Sequence, residues 1–200
     1  MRFSIIIPAH NSAAFIRKAL DSIKSQTFKD YELIVECDCC SDNTQQIAEE
    51  YGAITERLGF GRDGLTRNAG LGRAQGEYVL FMDDDDWWLH EYVLEQLDEK
   101  LRENPTVDVL CFSFIFKGWK YATPLGNSGK HFIACWCKCF RREFIKGCKF
   151  SNEPLSSDVT FNSMVMAKHP NLMDWDMPLY YYNYMRKGSQ TELDARRRKR

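Results

Sequence analysis

Four consecutive aspartates directly after an apolar run constrain this chain more than any other feature. Residues 78–82 (YVLFM) are typical of a buried strand, and residues 83–86, all aspartates, follow at once. Adjacent like charges repel, and no fold needs such a run for its own stability. Mg²⁺ and Mn²⁺ are held by carboxylates together with substrate phosphate oxygens. Because ligands of open α/β sheets bind where strands end, the run predicts a metal–phosphate site; a merely solvated acidic loop is the alternative.

Charge and hydropathy exclude several classes of protein. A net charge of -1 over 200 residues argues against a nucleic-acid binder. No stretch reaches the roughly 18 apolar residues that span a bilayer, and the N-terminus lacks a signal-peptide pattern, so we expect a cytoplasmic protein. The chain ends with five basic residues: Arg196, Arg197, Arg198, Lys199 and Arg200. They predict peripheral contact with anionic lipid, a solvated tail being the alternative.

The chain has eight cysteines, which without a secretion signal we expect to be reduced. The three within residues 135–139 alternate, which predicts packed thiols on one face of a strand over residues 131–140. A zinc site would need a second cluster at finger-like spacing, and the three cysteines within residues 37–40 would supply one only through folding. Packed thiols are therefore the favoured interpretation.

The first half of the chain alternates strands with helices. Hydrophobic patterns predict strands at residues 3–8, 31–35, 77–82 and 107–116, with amphipathic helices between them and a last helix at 89–102. This order predicts a doubly wound parallel sheet. Residues 59–64 contain three glycines but match no dinucleotide or Walker fingerprint, and no predicted strand directly precedes them.

Beyond residue 116 the sequence becomes richer in polar residues, which predicts one domain with lobes at 1–116 and 117–200. In the second lobe we expect strands at 131–140, 172–175 and 179–185 and helices at 141–146 and 158–168.

Five motifs, in order and at the right spacing, resemble the opening of family 2 glycosyltransferases with the GT-A fold. They are residues 5–11 (IIIPAHN), 22–27 (SIKSQT), 38–44 (DCCSDNT), 66–70 (TRNAG) and 76–87 (GEYVLFMDDDDW). The resemblance is close over residues 3–103 and looser beyond. It implies an α/β architecture of GT-A type, with a Rossmann-like, mostly parallel sheet and a smaller C-terminal acceptor lobe.

The resemblance also implies a donor site for a nucleotide sugar, most often linked to UDP. The donor-binding residues it implies are Pro8, Ala9, His10, Asn11, Asp38, Arg67, Asp83 and Asp84. Ala9 and Asp38 match positions that hold the base, although the family usually has Asp-Asp-Gly-Ser where residues 37–40 read CDCC. Arg67 would either position the acidic residues or contact phosphate directly.

Two carboxylates of the acidic run match the Asp-x-Asp element of the family. These are Asp83 and Asp85, which would hold Mn²⁺ or Mg²⁺, while Asp84 and Asp86 stay open as further ligands. The ion would neutralise charge on the leaving diphosphate. Inversion needs a base that takes the proton of the acceptor hydroxyl. Asp158 matches the family's base position, with Ser157 in place of its usual Glu; a charge that pairs with a helix N-terminus is the alternative role.

The expected activity is transfer of a sugar, with inversion, to a glycan or lipid-linked acceptor. Trp88 is the candidate for stacking on that acceptor. A sugar nucleotidyltransferase is one rival, but it would need a glycine-rich loop with a basic residue after the first strand, and residues 8–11 lack it. A non-catalytic protein that binds nucleotide sugars is the other rival.

Overall fold

The computed structural model describes residues 1–117, 120–125, 131, 133–153, 157–184 and 186–187. The strands in these residues are β1 (Phe3–Ala9), β2 (Tyr31–Asp38), β3 (Ile54–Leu58), β4 (Tyr78–Phe81), β5 (Trp87–Trp88), β6 (Val109–Phe116), β7 (Lys120–Ala122), β8 (Lys138–Arg141) and β9 (Leu172–Tyr182). The helices are α1 (Ile16–Lys24), α2 (Thr44–Glu50), α3 (Asp63–Arg73), α4 (Val93–Glu103) and α5 (Ser157–Ala167).

All the strands belong to one sheet, in the order β3-β2-β1-β4-β8-β6-β9-β5, with β7 paired to β6. The pairs β1–β2, β1–β4 and β2–β3 are parallel, as predicted. Beyond β4 the sheet is mixed, because β8 runs antiparallel to both β4 and β6 while β9 is parallel to β6. Strand β1 pairs with β2 on one edge and with β4 on its other edge, so the strand order reverses between β1 and β4. A ligand-binding cleft is expected at the carboxyl ends of these two strands.

Two layers of apolar side chains cover the sheet. Side chains of β1 alternate between them, with Ile5 and Ile7 packing toward α1, α2 and α4 and Ile6 packing on the opposite face. Helix α3 lies very close to that opposite face, since a Cβ on Gly70 would come within 2.5 Å of the Ile6 Cγ2 atom. Helix α5 covers the same face through buried Phe161, whose ring stacks on Phe150 at 4.2 Å.

The extent of β1 and the presence of β3 are the differences from the predictions that bear on the site. Strand β1 continues through Pro8 to Ala9. The Ile6 carbonyl accepts a hydrogen bond from the Met82 amide on the β4 side of the strand. Pro8 lies two residues later, so its nitrogen faces the same side, but β4 no longer pairs with β1 there and no N–H is needed. Strand β3 was not predicted, because charged residues interrupt its short apolar pattern; it directly precedes the glycine-containing residues 59–64, contrary to our expectation.

The second half departs further from the predictions. The strand expected over 131–140 is β8 alone, and the helix expected over 141–146 is a series of turns. The cysteines of residues 135–139 do not share a face: Cys135 packs beside α5, whereas Cys137 and Cys139 pack in the opposite layer. Strict alternation fails here because Cys135 precedes the strand. The two late strands are one, β9, with irregular pairing opposite residues 112–114.

The basic residues 196–200 lie outside the described residues. Among the residues that are described, the helices are too short or too polar to cross a membrane.

Candidate active site

The last aspartate of the acidic run anchors the turn rather than facing the cleft. Asp86 is fully buried, and its Oδ2 accepts a hydrogen bond of 2.6 Å from the Tyr180 hydroxyl. Its Oδ1 accepts one of 2.7 Å from the Asn183 backbone. The same Tyr180 hydroxyl accepts a hydrogen bond from the Asp83 amide, at 3.1 Å. Burial, reinforced by the charges of Asp83 and Asp85, raises the pKa of Asp86 well above its usual value. Both Asp86 oxygens are therefore held by donors of the protein itself, which disfavours the alternative that Asp86 is a further metal ligand.

Replacing Tyr180 with Phe is expected to lower the free energy of unfolding by about 1–3 kcal/mol, because a buried carboxyl group loses its donor. Denaturant unfolding of wild type and variant measures this difference. Tyr92→Phe, which alters an exposed ring, is the matched control. Equal losses in the two variants would contradict the anchoring role.

The three other aspartates line the cleft at the end of β4. Asp83 Oδ1 accepts a hydrogen bond of 2.6 Å from Arg67, and Asp85 Oδ2 accepts one from Arg186 Nε. Asp84 Oδ2 accepts from the Ser12 hydroxyl and the His10 amide. Within the part of the chain that the structure describes, Asp83 Oδ2, Asp84 Oδ1 and Asp85 Oδ1 accept no hydrogen bond. These three oxygens are available to a hard cation.

Crowding makes the charged forms of two of these groups costly. Burial is the largest influence on Asp83 and raises its pKa to about 6, with Arg67 opposing it and Asp85 adding to it. Burial likewise raises the pKa of Asp84 to about 7, against the hydrogen bond from Ser12. A divalent cation beside these carboxyl groups would favour their ionised forms.

Arg67 links the acidic run to two helices. Its guanidinium donates from Nη2 to Asp83 and from Nη1 to Asp63 Oδ2, both at 2.6 Å. Asp63 Oδ2 also accepts a hydrogen bond of 3.1 Å from Ser157, the first residue of α5. Helices α3 and α5 are in close contact there, since a Cβ on Gly64 would lie 2.8 Å from the Ser157 Cβ. This geometry favours the positioning role for Arg67 over direct phosphate contact.

Asp158 lies in the first turn of α5, at the same cleft. Its Oδ2 accepts a hydrogen bond of 3.2 Å from the Cys135 amide. Its Oδ1 is buried and has no hydrogen-bond partner among the described residues. The carboxylate interacts electrostatically with both Arg67 and Asp83. Because an unpaired buried oxygen is costly, this atom is available to a donor that the protein itself does not supply.

The ends of β1 and β2 form the other side of the cleft. Pro8 and Ala9 close β1, and Ala9 is 2% exposed. The His10 ring Nδ1 lies 2.7 Å from the Asp38 carbonyl oxygen. Asn11 has a positive φ of 49°, and its Oδ1 accepts a hydrogen bond of 2.8 Å from the Ser41 amide. The predicted base-binding residues are therefore together, and several of them tie the two exit loops to each other.

The Asp38 carboxylate already holds five donors. Oδ1 accepts from the amides of Phe60 and Gly61 and from the Cys39 thiol, and Oδ2 accepts from the Arg62 amide and the Thr66 hydroxyl. Burial opposes its ionisation, but these hydrogen bonds outweigh it and lower the pKa of Asp38 below its usual value. In this structure the carboxylate holds the segment between β3 and α3, and a base N–H would have to replace one of its donors.

Sequence reasoning missed three residues of the site and misplaced one aromatic side chain. The missed residues are Asp63, Tyr180 and, as a hydrogen-bond donor, Ser157. No local motif marks them, because the contacts of Ser157 with Asp63 and of Tyr180 with Asp86 each join residues 94 positions apart, and only the contact of Asp63 with Arg67 is local. Trp88 is 4% exposed and packs in the core, so its proposed stacking on an acceptor is wrong. Its neighbour Trp87 is partly exposed and stacks on Tyr181 at 4.1 Å.

Comparison with known proteins shows the family. A family model described as "Glycosyl transferase family 2" matches residues 4–154. The chain belongs to glycosyl transferase family 2. Among curated relatives, this member is 28% identical to glycosyltransferase GlyA of Streptococcus pneumoniae over 96% of its own length. It is 34% identical to the putative teichuronic acid biosynthesis glycosyltransferase TuaG of Bacillus subtilis over 65% of its length. The predicted family is confirmed.

Solved structures confirm the GT-A fold for this family 2 chain. Staphylococcus aureus TarS 1–349 in complex with UDP-GlcNAc superposes with a TM-score of 0.84 at 25% identity, covering 96% of this chain and 61% of that one. The mannosyltransferase PcManGT of Pyrobaculum calidifontis, in complex with GDP-Man and Mn²⁺, gives a TM-score of 0.76 at 18% identity, covering 98% of this chain and 60% of that one. The chain spans only 32% of GlyA and 51% of TuaG.

Proposed function

We propose that this family 2 chain transfers a sugar from a nucleotide diphosphate sugar, with inversion, to a hydroxyl of a glycan or lipid-linked acceptor in cell-surface glycan biosynthesis. One observation carries the proposal: Asp83 and Asp85 offer unpaired oxygens at the end of β4, and Asp158, whose Oδ1 is also unpaired, is near enough to interact electrostatically with Asp83. The cleft lies at the carboxyl ends of the strands, where α/β sheets bind ligands. A UDP-linked donor is favoured because TarS, with the same fold, is solved with UDP-GlcNAc.

The relatives support the class of acceptor. TarS is a poly(ribitol-phosphate) β-N-acetylglucosaminyltransferase that is 38% identical over 44% of this chain. A Campylobacter jejuni relative, 37% identical over 42% of this chain, is named as a glucosyltransferase acting on an undecaprenol-linked glycan. A cytoplasmic location stays a prediction. Lipid contact through residues 196–200 also stays a prediction, because those residues lie outside the described part of the chain.

Asp83 and Asp85 fit a resident Mn²⁺ or Mg²⁺, because each offers a carboxylate oxygen without a hydrogen bond from the described residues. The bound ion would act as a Lewis acid on the leaving diphosphate. Arg67 holds Asp83 in place, and His10 and Ser12 hold Asp84. Asp158 Oδ1 accepts the proton of the acceptor hydroxyl while the hydroxyl oxygen attacks the anomeric carbon, and the bond from that carbon to the diphosphate breaks, so that the nucleoside diphosphate leaves. A sugar nucleotidyltransferase would not need this base, because its attacking group is a phosphate oxygen that is already ionised.

Thermal unfolding with Mn²⁺ and a panel of nucleotide sugars tests the donor site. At a ligand concentration of about 100 times Kd, the free energy of unfolding should rise by about 2.7 kcal/mol, which raises Tm by roughly 5–10 °C. Asp83→Asn and Asp85→Asn should lose the shift, whereas Glu99→Gln, on an exposed face of α4, should keep it. Release of pyrophosphate in place of sugar transfer would favour the nucleotidyltransferase, and donor binding without turnover on any acceptor would favour the non-catalytic protein.

The same shift should depend on pH. The carboxyl groups of Asp83 and Asp84, with pKa values of about 6 and 7, keep protons in the folded chain that the unfolded chain releases near pH 4. The metal-free protein therefore loses stability as pH rises through this interval. Mn²⁺ must displace the proton of its ligand Asp83, so its affinity should fall about tenfold for each pH unit below 6. A Tm shift independent of pH between 5 and 7.5 would contradict this assignment.

A further inference from the structure

A second group of ligand-type side chains lies away from the acidic cleft, in the second lobe. Cys111 of β6, Asp174 of β9 and His131 place one ligand atom each within 4.8 Å of one another. The sheet fixes two of the three, because Cys111 and Asp174 are directly paired across the parallel strands β6 and β9. The third is already in contact, with His131 Nε2 2.8 Å from Asp174 Oδ1. Among the described residues this is the single cluster of its kind.

The chemistry of the three ligands differs from that of the acidic cleft. Sulfur and imidazole ligands are typical of Zn²⁺, whereas Mg²⁺ and Mn²⁺ favour oxygen ligands alone. An ion pair between His131 and Asp174 would not need a thiol beside it, yet Cys111 is 1% exposed and its sulfur lies within ligand reach. We propose that Cys111, His131 and Asp174 bind a zinc ion, separate from the ion at Asp83 and Asp85. Binding forms the Cys111 thiolate and releases its proton to solvent.

The surrounding charges are compatible with a bound dication. Lys138 pairs with Cys111 across β6 and β8, and its ammonium donates to the Ala134 carbonyl at 2.6 Å. Two residues beyond Asp174 on the same strand, Asp176 accepts hydrogen bonds from Ser113 and Tyr121. A dication and the Lys138 ammonium together would balance the charges of a Cys111 thiolate and the two carboxylates.

The zinc site would also fix the segment that holds the candidate base, a consequence that rests on the proposed function. His131 precedes Ile133, whose carbonyl accepts a hydrogen bond from Asn162 of α5, and Cys135, whose amide donates to Asp158. A metal bond from His131 to β6 and β9 therefore ties this segment to the sheet. Asp174 and Cys111 act here as positioning residues for Asp158, without contacting substrate.

Metal binding is tested on the full chain after removal of metals with a chelator, with Co²⁺ as the spectroscopic probe. The wild type should bind a Co²⁺ ion that gives a sulfur-to-cobalt charge-transfer band, which Co²⁺ at the carboxylates of Asp83 and Asp85 does not give, and Zn²⁺ should abolish that band by displacement. Cys111→Ser, His131→Gln and Asp174→Asn should each lose the band. Cys148→Ser, which removes another buried thiol, should keep it, and so should Asp83→Asn.

Three results would overturn the zinc site. They are absence of a charge-transfer band in the wild type, a band that survives Cys111→Ser, and a band lost in Cys37→Ser or Cys40→Ser, which would place the ion at that other pair of thiols. His131 and Asp174 are partly exposed, so their variants should fold even where Cys111→Ser does not. Donor binding is measured separately by the thermal shift with UDP sugars, so failure of one proposal leaves the other standing.

Discussion

Replacing Asp158 with Asn is expected to lower the turnover number for sugar transfer by about 10²–10⁴-fold, the usual contribution of a general base. Asn keeps an oxygen for the Cys135 amide but cannot take a proton from the acceptor hydroxyl. The KM for the donor should hardly change, because the donor-side residues lie on other elements. Steady-state kinetics with a UDP sugar and an accepted glycan measures both quantities.

If Asp158 only pairs with the N-terminus of α5, the same variant should behave differently. A carboxylate that only pairs with the N-terminus of α5 would contribute about 0.3–1 kcal/mol to stability and nothing to turnover. Unfolding of the same variant in denaturant separates the two roles. Wild-type turnover together with a small loss of stability would remove Asp158 from the chemistry and keep it as a helix charge.

Replacing Arg67 with Met is the second change with a large expected effect. Arg67 is 6% exposed and bridges Asp63 and Asp83, so its loss leaves both carboxylates without a cationic partner and Asp63 with only the Ser157 hydroxyl. Breaking a fully buried pair costs about 3–5 kcal/mol, and the partial exposure of the two carboxylates reduces this to about 2–3 kcal/mol here. Without the guanidinium, the pKa of Asp83 should rise further, so Mn²⁺ binding should require a higher pH.

Two measurements are needed for Arg67→Met, and each has its control. Denaturant unfolding gives the stability, and Arg17→Met, which breaks the exposed pair between Arg17 and Glu50, should cost less than about 1 kcal/mol. The pH at which Mn²⁺ raises Tm gives the electrostatic effect, which a merely structural role would not change. An unchanged pH dependence would show that Arg67 does not set the charge of Asp83.

Much of the site was predictable because its residues stand in local patterns. The run at 83–86 follows a strand directly, and parallel strands bring their carboxyl ends to one edge, so the positions of Asp83 and Asp85 followed from order alone. The different roles of the four aspartates did not follow from their order in the sequence. Asp86 resembles its neighbours in sequence, yet it is buried against Tyr180, 94 positions away. Burial of one carboxyl group out of four depends on which partner the fold delivers.

The second lobe was harder to predict for the same reason. Its segments are short and pair with distant strands, so β8 joins β4 and β6 by contacts that no local period encodes. Strand β3 lies at the sheet edge with charged side chains, which hide the alternation that marks a strand.

By itself the sequence determined the alternating α/β order, the family and the acidic cleft, because these depend on neighbours along the chain. Only the tertiary structure decided which aspartate anchors the turn and which face the cleft, and that the Asp38 carboxylate holds five donors. It alone brought Cys111, His131 and Asp174 together. Such contacts join residues far apart in the chain, and their energies depend on burial and distance, which exist only after folding.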